Sequence, residues 1–287
     1  MNLPAIATPN QHLALLSLDI VPRLAAQFGL DLTVKANEIA LHQLLQEMAR
    51  TIVPAMSGVV LDPIYSYDLM VRDLDQAGLL LSLEKLTAEI EPQNPPTLIP
   101  NWGVDRIKQH YAWAKLELIY HPNEPAALTK KQLVAELGDF CRHEGIGFLL
   151  KLKVPSLNSN QSLAQAAQFQ QDQLTAAQEL VKSVSLLALE NPQDALACAT
   201  LTAELDVPWI IALEPTLDYE KVKEILRMSL ENGAQGFLVA EALWSEIYQL
   251  RASDSHSPDW VKIREFLATT ARDRSIELAR IADEAGI

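Results

Sequence analysis

Glycine and cysteine are both scarce in this chain. It has 10 glycines and 2 cysteines among 287 residues. None of its short apolar runs is followed by the glycine-rich turn with which Rossmann and P-loop proteins bind nucleotide phosphates. Cys141 and Cys198 show no CxxC or other metal-ligand spacing, so we expect two buried thiols in a reducing compartment. The sequence therefore argues against a nucleotide cradle and predicts neither a metal site nor a cofactor.

Positive charge and long apolar runs are scarce as well. The chain has 23 Lys and Arg against 37 Asp and Glu, which gives a net charge of −14. Such a surface disfavours binding to nucleic acids and anionic membranes. No apolar stretch approaches the roughly 20 residues of a membrane span, and the N-terminus lacks the pattern of a signal peptide. We expect a soluble, cytoplasmic protein with neither a nucleic-acid partner nor a membrane span.

Short apolar runs alternate with helical patterns along the whole chain. Each run has the length and branched apolar content of a parallel strand buried on both faces. The runs are 13–20, 58–63, 78–85, 112–120, 147–154, 184–190, 208–215 and 236–244. Apolar spacings of three and four predict helices over 35–54, 104–110, 129–144, 161–182, 193–205, 218–232 and 259–285.

Eight strands that alternate with helices predict a (β/α)₈ TIM barrel of the α/β class, a single domain over residues 1–287. An open, doubly wound sheet is the alternative, although it usually has a glycine-rich first turn. In a barrel, function lies at the carboxyl ends of the strands. The predicted ligand-binding residues at this mouth are Asp19, Asp62, Glu84, Glu214 and Glu241.

Lys115 lies near the middle of its predicted strand. A lysine there either points inwards to a carboxylate or points outwards past a helix. Alternation places Glu117 on the same face, which favours an inward ion pair. Lys151 and Lys153 share one face of the next strand, where crowding would lower the pKa of an amine and suit Schiff-base chemistry. The candidate catalytic residues are Lys115, Lys151, Glu117 and Glu190.

Two stretches, GVVLDPIYS at 58–66 and QAGLLLSLEK at 76–85, resemble the class I tagatose 1,6-bisphosphate aldolases. The likeness extends over about residues 13 to 275 and includes RIKQHYAWAKLELIYH, VPWIIALEP and GFLVAEALW. Its most specific part is LDPxY with AGLLLxxEK. The resemblance implies an aldolase-type barrel and reversible cleavage of a ketose bisphosphate through a lysine Schiff base.

The sequence departs from the family pattern at the positions that carry this chemistry. Ala188 stands where the resemblance implies the Schiff-base lysine, and Lys151 stands at the acid/base glutamate. Glu214 and Pro215 replace part of the implied phosphate site, and Glu241 replaces its arginine. A phosphate requires backbone N–H donors and an arginine fork, so a proline and two glutamates oppose its binding.

These departures predict an aldolase-like barrel without bisphosphate aldolase activity, used for binding or regulation. In an alternative, the chain is a diverged class I aldolase or lyase that acts on a carbonyl or sugar. Lys151 or Lys115 would supply its amine, and Glu117 or Glu190 would serve as acid/base. A second alternative is a metal-assisted lyase. Its ligands would be Asp62, Glu190, Glu214 and Glu241.

The five tryptophans bear on the question of a protein partner. They are Trp102, Trp113, Trp209, Trp244 and Trp260. Most lie in or beside predicted strands, which favours core packing over a role as interface anchors. A protein partner and a homo-oligomer formed through the outer helices stay open, as does a small carbonyl or sugar ligand.

Overall fold

The computed structural model describes residues 6–8, 10–72, 74, 76–87, 92–155, 163–215, 218–252 and 257–285. Eight parallel strands pair in chain order, and the last pairs with the first to close a barrel. They are β1 (Leu13–Ser17), β2 (Gly58–Leu61), β3 (Gly78–Ser82), β4 (Trp113–Ile119), β5 (Phe148–Lys153), β6 (Leu186–Leu189), β7 (Trp209–Leu213) and β8 (Gly236–Val239). The predicted (β/α)₈ barrel is confirmed.

Helices surround the strands. They are α1 (Val21–Phe28), α2 (Lys35–Ile52), α3 (Tyr67–Met70), α4 (Val104–Gln109), α5 (Ala127–Glu144), α6 (Leu163–Leu180), α7 (Ala195–Glu204), α8 (Tyr219–Glu231), α9 (Trp260–Phe266) and α10 (Arg272–Glu284). The predicted helix over 259–285 is interrupted by a π-helical turn, Leu267–Ala271. The apolar spacing did not indicate α1, which directly follows β1. None of the helices within the described ranges is long and apolar enough to cross a membrane.

The predicted strand 236–244 is shorter in the structure. β8 ends at Val239, and Glu241–Leu243 forms a 3₁₀ turn. Trp244 follows this turn and is fully buried. The apolar residues after Val239 are therefore core residues of a turn and do not extend the strand.

The barrel interior has an apolar layer and an ionic layer. Successive side chains of a strand alternate between the interior and the surrounding helices. The apolar interior cluster consists of Ile6, Leu13, Leu15, Val60, Leu80, Trp113, Leu149, Leu186, Ala188, Ile210 and Leu238. Two residues further along β3, β4 and β5, the next inward-facing side chains are Ser82, Lys115 and Lys151. The ionic layer therefore lies at the carboxyl ends of the strands.

Buried aromatic and thiol side chains complete the core. Trp113 and Trp209 are buried like Trp244, and the remaining two tryptophans pack partly buried against the same core, as predicted. Cys141 and Cys198 are free thiols and are both buried. Burial raises the pKa of Cys141 to about 12, although Arg142 opposes the shift. This thiol is therefore protonated at neutral pH.

Gly236 allows β8 to start against β1. Its φ is +143°, and a Cβ at this position would lie 2.0 Å from the carbonyl oxygen of Leu13. Gly29 also has a positive φ, of +71°, but an added Cβ there meets nothing within 4 Å. Substitution at Gly29 therefore tests the backbone conformation alone, whereas substitution at Gly236 tests the conformation together with a steric clash.

We expect Gly29→Ala to lower the free energy of unfolding by about 1–2 kcal/mol, the cost of a left-handed alanine. Gly236→Ala should cost about 1–3 kcal/mol more, because the strand ends must also move apart. Urea unfolding of both variants measures the difference. Equal losses would show that the contact between β8 and β1 tolerates a side chain.

Candidate functional site at the barrel mouth

A buried lysine joins three strand ends at the mouth. Lys115 on β4 points into the barrel and is 1% exposed. Its Nζ lies 2.6 Å from Oδ2 of Asp19 and 2.6 Å from Oε1 of Glu84, which follow β1 and β3. Oε2 of Glu117 lies further away, at 3.8 Å. The predicted inward orientation is confirmed, but the closest carboxylates come from neighbouring elements and not from Glu117.

Hydrogen bonds fix the two carboxylates that hold this lysine. Asp19 accepts hydrogen bonds from the hydroxyls of Ser17 and Ser82. Oε1 of Glu84 accepts the backbone N–H of Glu117 at 3.0 Å. Burial acts to lower the pKa of Lys115, but Asp19, Glu84 and Glu117 together raise it above its ordinary value. The Lys115 side chain is therefore an ammonium, neutralised where water cannot reach it.

Glu84 has a pKa close to neutrality. Burial raises its pKa to about 7, Lys115 opposes this shift, and the charge of Asp19 adds to it. Its Oε2 atom is buried and has no hydrogen-bond partner in the described part of the chain. Since one oxygen is held by Lys115 and the other is unpaired, Glu84 can gain and lose a proton near pH 7.

A second ionic group lies on β5 and at the end of β7. Nζ of Lys151 lies 3.3 Å from Oε1 of Glu117 and 3.7 Å from Oε1 of Glu214. Nζ of Lys153 lies 3.0 Å from the same Glu214 oxygen and 3.7 Å from Oε1 of Glu117. Glu117 thus lies between Lys115 and the two lysines of β5 and joins both groups.

The pKa directions follow from these contacts. Burial would raise the pKa of Glu117, but Lys151, Lys115 and Lys153 hold it well below its usual range. The pKa of Lys153 is raised, because Glu214 and Glu117 outweigh the opposing effect of burial. The prediction that crowding lowers the amine pKa is therefore wrong for Lys153, because the attraction of these carboxylates outweighs burial.

Strand register places Lys151 beside Ala188. Along the ionic end of the barrel, Glu117 pairs with Lys151, Lys151 with Ala188, and Ala188 with Ile210. Ala188 is fully buried and belongs to the apolar interior cluster. The strand that resembles the lysine-bearing strand of the aldolases therefore presents only a methyl group here, and the amine belongs to its neighbour.

The side chain of Asp62 stabilises the turn in which it lies. Its Oδ1 accepts the backbone N–H groups of Ile64 and Tyr65 at 2.9 and 2.7 Å, and its Oδ2 accepts the hydroxyl of Ser66 at 3.1 Å. Burial raises its pKa to about 6, although these hydrogen bonds oppose the shift. The structure therefore places Asp62 in the LDP turn after β2, with both oxygens occupied.

The two remaining predicted carboxylates lie at the rim. Glu190 accepts the backbone N–H of Val154 at 2.9 Å, and burial raises its pKa. Glu241 lies in the 3₁₀ turn after β8, where its carboxylate accepts the hydroxyl of Tyr248 and lies 3.5 Å from Arg23. Among the described residues, no three His, Cys, Asp or Glu side chains are grouped to hold a metal ion. The four carboxylates of the metal-assisted alternative are not brought together.

A cavity of about 530 Å³ opens at this mouth, between the start of α1, the end of β3 and the segment 94–97. Its polar lining includes Asp19, Arg23, Glu84, Lys85, Asn94 and Glu117. The sequence pattern at the strand ends does not indicate Arg23, because this residue lies in the helix α1. The signal that could have revealed it is Pro22, which is typical of the first turn of a helix and is followed by Arg23.

We expect Lys115→Met to lower the free energy of unfolding by about 3–5 kcal/mol, because it leaves Asp19 and Glu84 buried without their cation. Lys35→Met is the matched control, since the Lys35 side chain is 77% exposed and its ion pair among the described residues is with Glu38. Its loss should stay within about 1 kcal/mol. Urea unfolding at pH 8 distinguishes the two, and a small loss for Lys115→Met would contradict the structural role of the cluster.

Glu84→Gln should remove a pH dependence of stability. The folded-state pKa of Glu84 lies above its ordinary value of 4.5, at about 7. Folded protein therefore holds more protons than unfolded protein between pH 4.5 and 7, and the contribution of Glu84 to stability falls as pH rises through this window. We expect the wild type to lose stability relative to Glu84→Gln from pH 5 to pH 7.5. A constant difference would show that Glu84 titrates normally.

Comparison with known proteins gives relatives that share this barrel. The chain is 25% identical to tagatose 1,6-diphosphate aldolase 2 of Enterococcus faecalis over 283 aligned residues, which cover 84% of this chain and 85% of that protein. No family model matches the chain.

Solved structures agree with this result at the level of the fold. An archaeal fructose 1,6-bisphosphate aldolase superposes with a TM-score of 0.63 at 15% identity, over 97% of this chain and 96% of its own. A Schiff-base-forming fructose 1,6-bisphosphate aldolase superposes with a TM-score of 0.60 at 16% identity, over 93% and 95% of the two chains. The chain is thus a distant relative of the tagatose 1,6-diphosphate aldolases on an aldolase-type TIM barrel, and the predicted resemblance is confirmed.

Proposed function

We propose that this barrel has no Schiff-base aldolase activity and binds a small polar ligand at its mouth, as a binding or regulatory protein. The supporting observation is the state of the amines in the ionic layer. Lys115 is enclosed by Asp19 and Glu84, while Lys151 and Lys153 lie against Glu117 and Glu214. An amine attacks a carbonyl only as the free base. The carboxylates around Lys115 and Lys153 outweigh burial and raise the pKa of both amines, which favours their ammonium form.

The charges at the ends of β7 and β8 support the same proposal. A sugar bisphosphate has a dianion at each end, and proteins bind such groups with backbone N–H donors, an arginine fork or unpaired lysines. Here the Glu214 side chain is 40% exposed at the rim, and Pro215 has no N–H. The carboxylate of Glu241 accepts a hydrogen bond from Tyr248 and forms an ion pair with Arg23. A bisphosphate would have to displace these ion pairs while approaching two carboxylates.

A relocated lysine is the second candidate function, and one observation favours it. Lys151 lies in register with Ala188 on the adjacent strand, and its Nζ lies 3.3 Å from a carboxylate oxygen of Glu117. An amine next to a potential acid/base is the pairing that carbonyl chemistry requires. Lys151 would then be the nucleophile and Glu117 the proton carrier of a carbon–carbon lyase.

Two assays decide between these functions. We expect no cleavage of tagatose 1,6-bisphosphate or fructose 1,6-bisphosphate, and no stable adduct after borohydride treatment with dihydroxyacetone phosphate, dihydroxyacetone or pyruvate. Intact and peptide mass spectrometry would measure the adduct, with a class I aldolase as positive control.

An adduct on Lys151 that disappears in Lys151→Met would refute the binding proposal and establish the relocated chemistry. Lys131→Met is the matched control, because Lys131 lies on α5 and pairs with Glu179, outside the ionic layer. Persistence of the adduct in both variants would instead show nonspecific labelling of other lysines.

A further inference from the structure

Arg23 presents unused hydrogen-bond donors to the mouth cavity. A guanidinium has five N–H donors. Within the part of the chain that the structure describes, the Arg23 side chain makes a single hydrogen bond, at 3.5 Å to Glu241. Burial opposes its charge, but Glu117, Glu241, Glu214 and Asp19 outweigh burial and raise its pKa. Arg23 is therefore a partly buried cation whose planar fork still has room for an acceptor.

The start of α1 adds to the attraction for an anion on this wall. Ile20, Pro22 and Arg23 line the cavity together. The N-cap, Ile20, makes no side-chain cap hydrogen bond, and the first turn of α1 contains no acidic residue. The N-terminal end of α1, where the helix dipole is positive, therefore borders the same cavity as the guanidinium, although Pro22 offers no N–H there. On another side, the exposed Lys85 also lines the cavity.

The rest of the lining accepts hydrogen bonds. Asp19, Glu84 and Glu117 all line the cavity. Oε2 of Glu84 is buried beneath this wall and has no hydrogen-bond partner among the described residues. Acceptors of this kind bind hydroxyl groups, whereas a second anion next to them would be repelled. The cavity therefore has a cation on one wall and carboxylates on another, which attract hydroxyl donors and repel a second anion.

We propose that the mouth cavity binds a short-chain hydroxy carboxylate, with its carboxylate on the Arg23 guanidinium and its hydroxyls directed to the side of Asp19 and Glu84. This assignment rests on the proposed binding function of the mouth and names its ligand class. An arginine fork matches a carboxylate in a bidentate geometry. A ligand with a single negative charge is also repelled less by the three lining carboxylates than a dianion would be.

Titration calorimetry with three probes tests the assignment. D-gluconate has the carboxylate and the hydroxyls, D-glucitol has an alcohol in place of the carboxylate, and glucose 6-phosphate has a dianion. We expect gluconate or its three-carbon analogue glycerate to bind at least about tenfold more tightly than glucitol, since a charge-assisted pair is lost in the alcohol. We expect glucose 6-phosphate to bind more weakly than gluconate.

Variants of Arg23 assign the site. Arg23→Met should weaken gluconate binding about 10- to 100-fold. Arg23→Lys keeps the charge without the fork and should have an intermediate affinity. Arg50→Met on the exposed face of α2 is the matched control and should bind as the wild type does. Circular dichroism of each variant checks the fold, because Arg23 also pairs with Glu241.

Several outcomes would overturn the assignment. These are equal binding of glucitol and gluconate, tighter binding of the phosphate, no binding of either hydroxy carboxylate, and unchanged affinity in Arg23→Met. The proposed function fails independently, through bisphosphate cleavage or a borohydride adduct, because gluconate has no carbonyl group that forms a Schiff base. Binding of glucitol alone would remove the carboxylate assignment and leave the binding role intact.

Discussion

The ammonium of Lys115 is the interaction on which the mouth of this barrel depends. It lies inside a closed sheet, where an uncompensated charge would cost several kcal/mol. Asp19 and Glu84 compensate it from the ends of two other elements, so the positions of β1, β3 and β4 are fixed relative to one another at one point. Glu117 extends this network to β5. The ionic layer thus holds these strands together and also lines the mouth of the barrel.

A mouth organised in this way places aldol chemistry and stability in opposition. Schiff-base formation requires one amine to be free of its carboxylate, whereas the network is stable only while each amine is held. At Ala188 no such conflict arises, because its methyl group packs in the apolar interior cluster and needs no carboxylate partner. The chain thus shares a barrel with Schiff-base-forming aldolases while its lysines lie in ion pairs.

The sequence predicted those features that depend on local periodicity. The eight strands follow from short apolar runs, and the inward direction of Lys115 follows from alternation within AWAKLELIY. The partners of Lys115 could not be predicted, because Asp19 and Glu84 are 96 and 31 residues away and meet it only through strand register. The hydrogen bonds of Asp62 within its turn and the 3₁₀ position of Glu241 could not be predicted for another reason, since polar residues after apolar runs look alike whether they serve a turn or a site.

Glu84 couples the cavity to the solvent proton concentration. It lines the cavity, and its pKa of about 7 leaves it partly protonated at neutral pH. A ligand group that donates a hydrogen bond to Glu84 favours the carboxylate and releases a proton, whereas a group that accepts one favours the acid and takes a proton up. The heat of binding would then vary with the ionisation enthalpy of the buffer, and the number of protons exchanged would reveal which end of a ligand lies against β3.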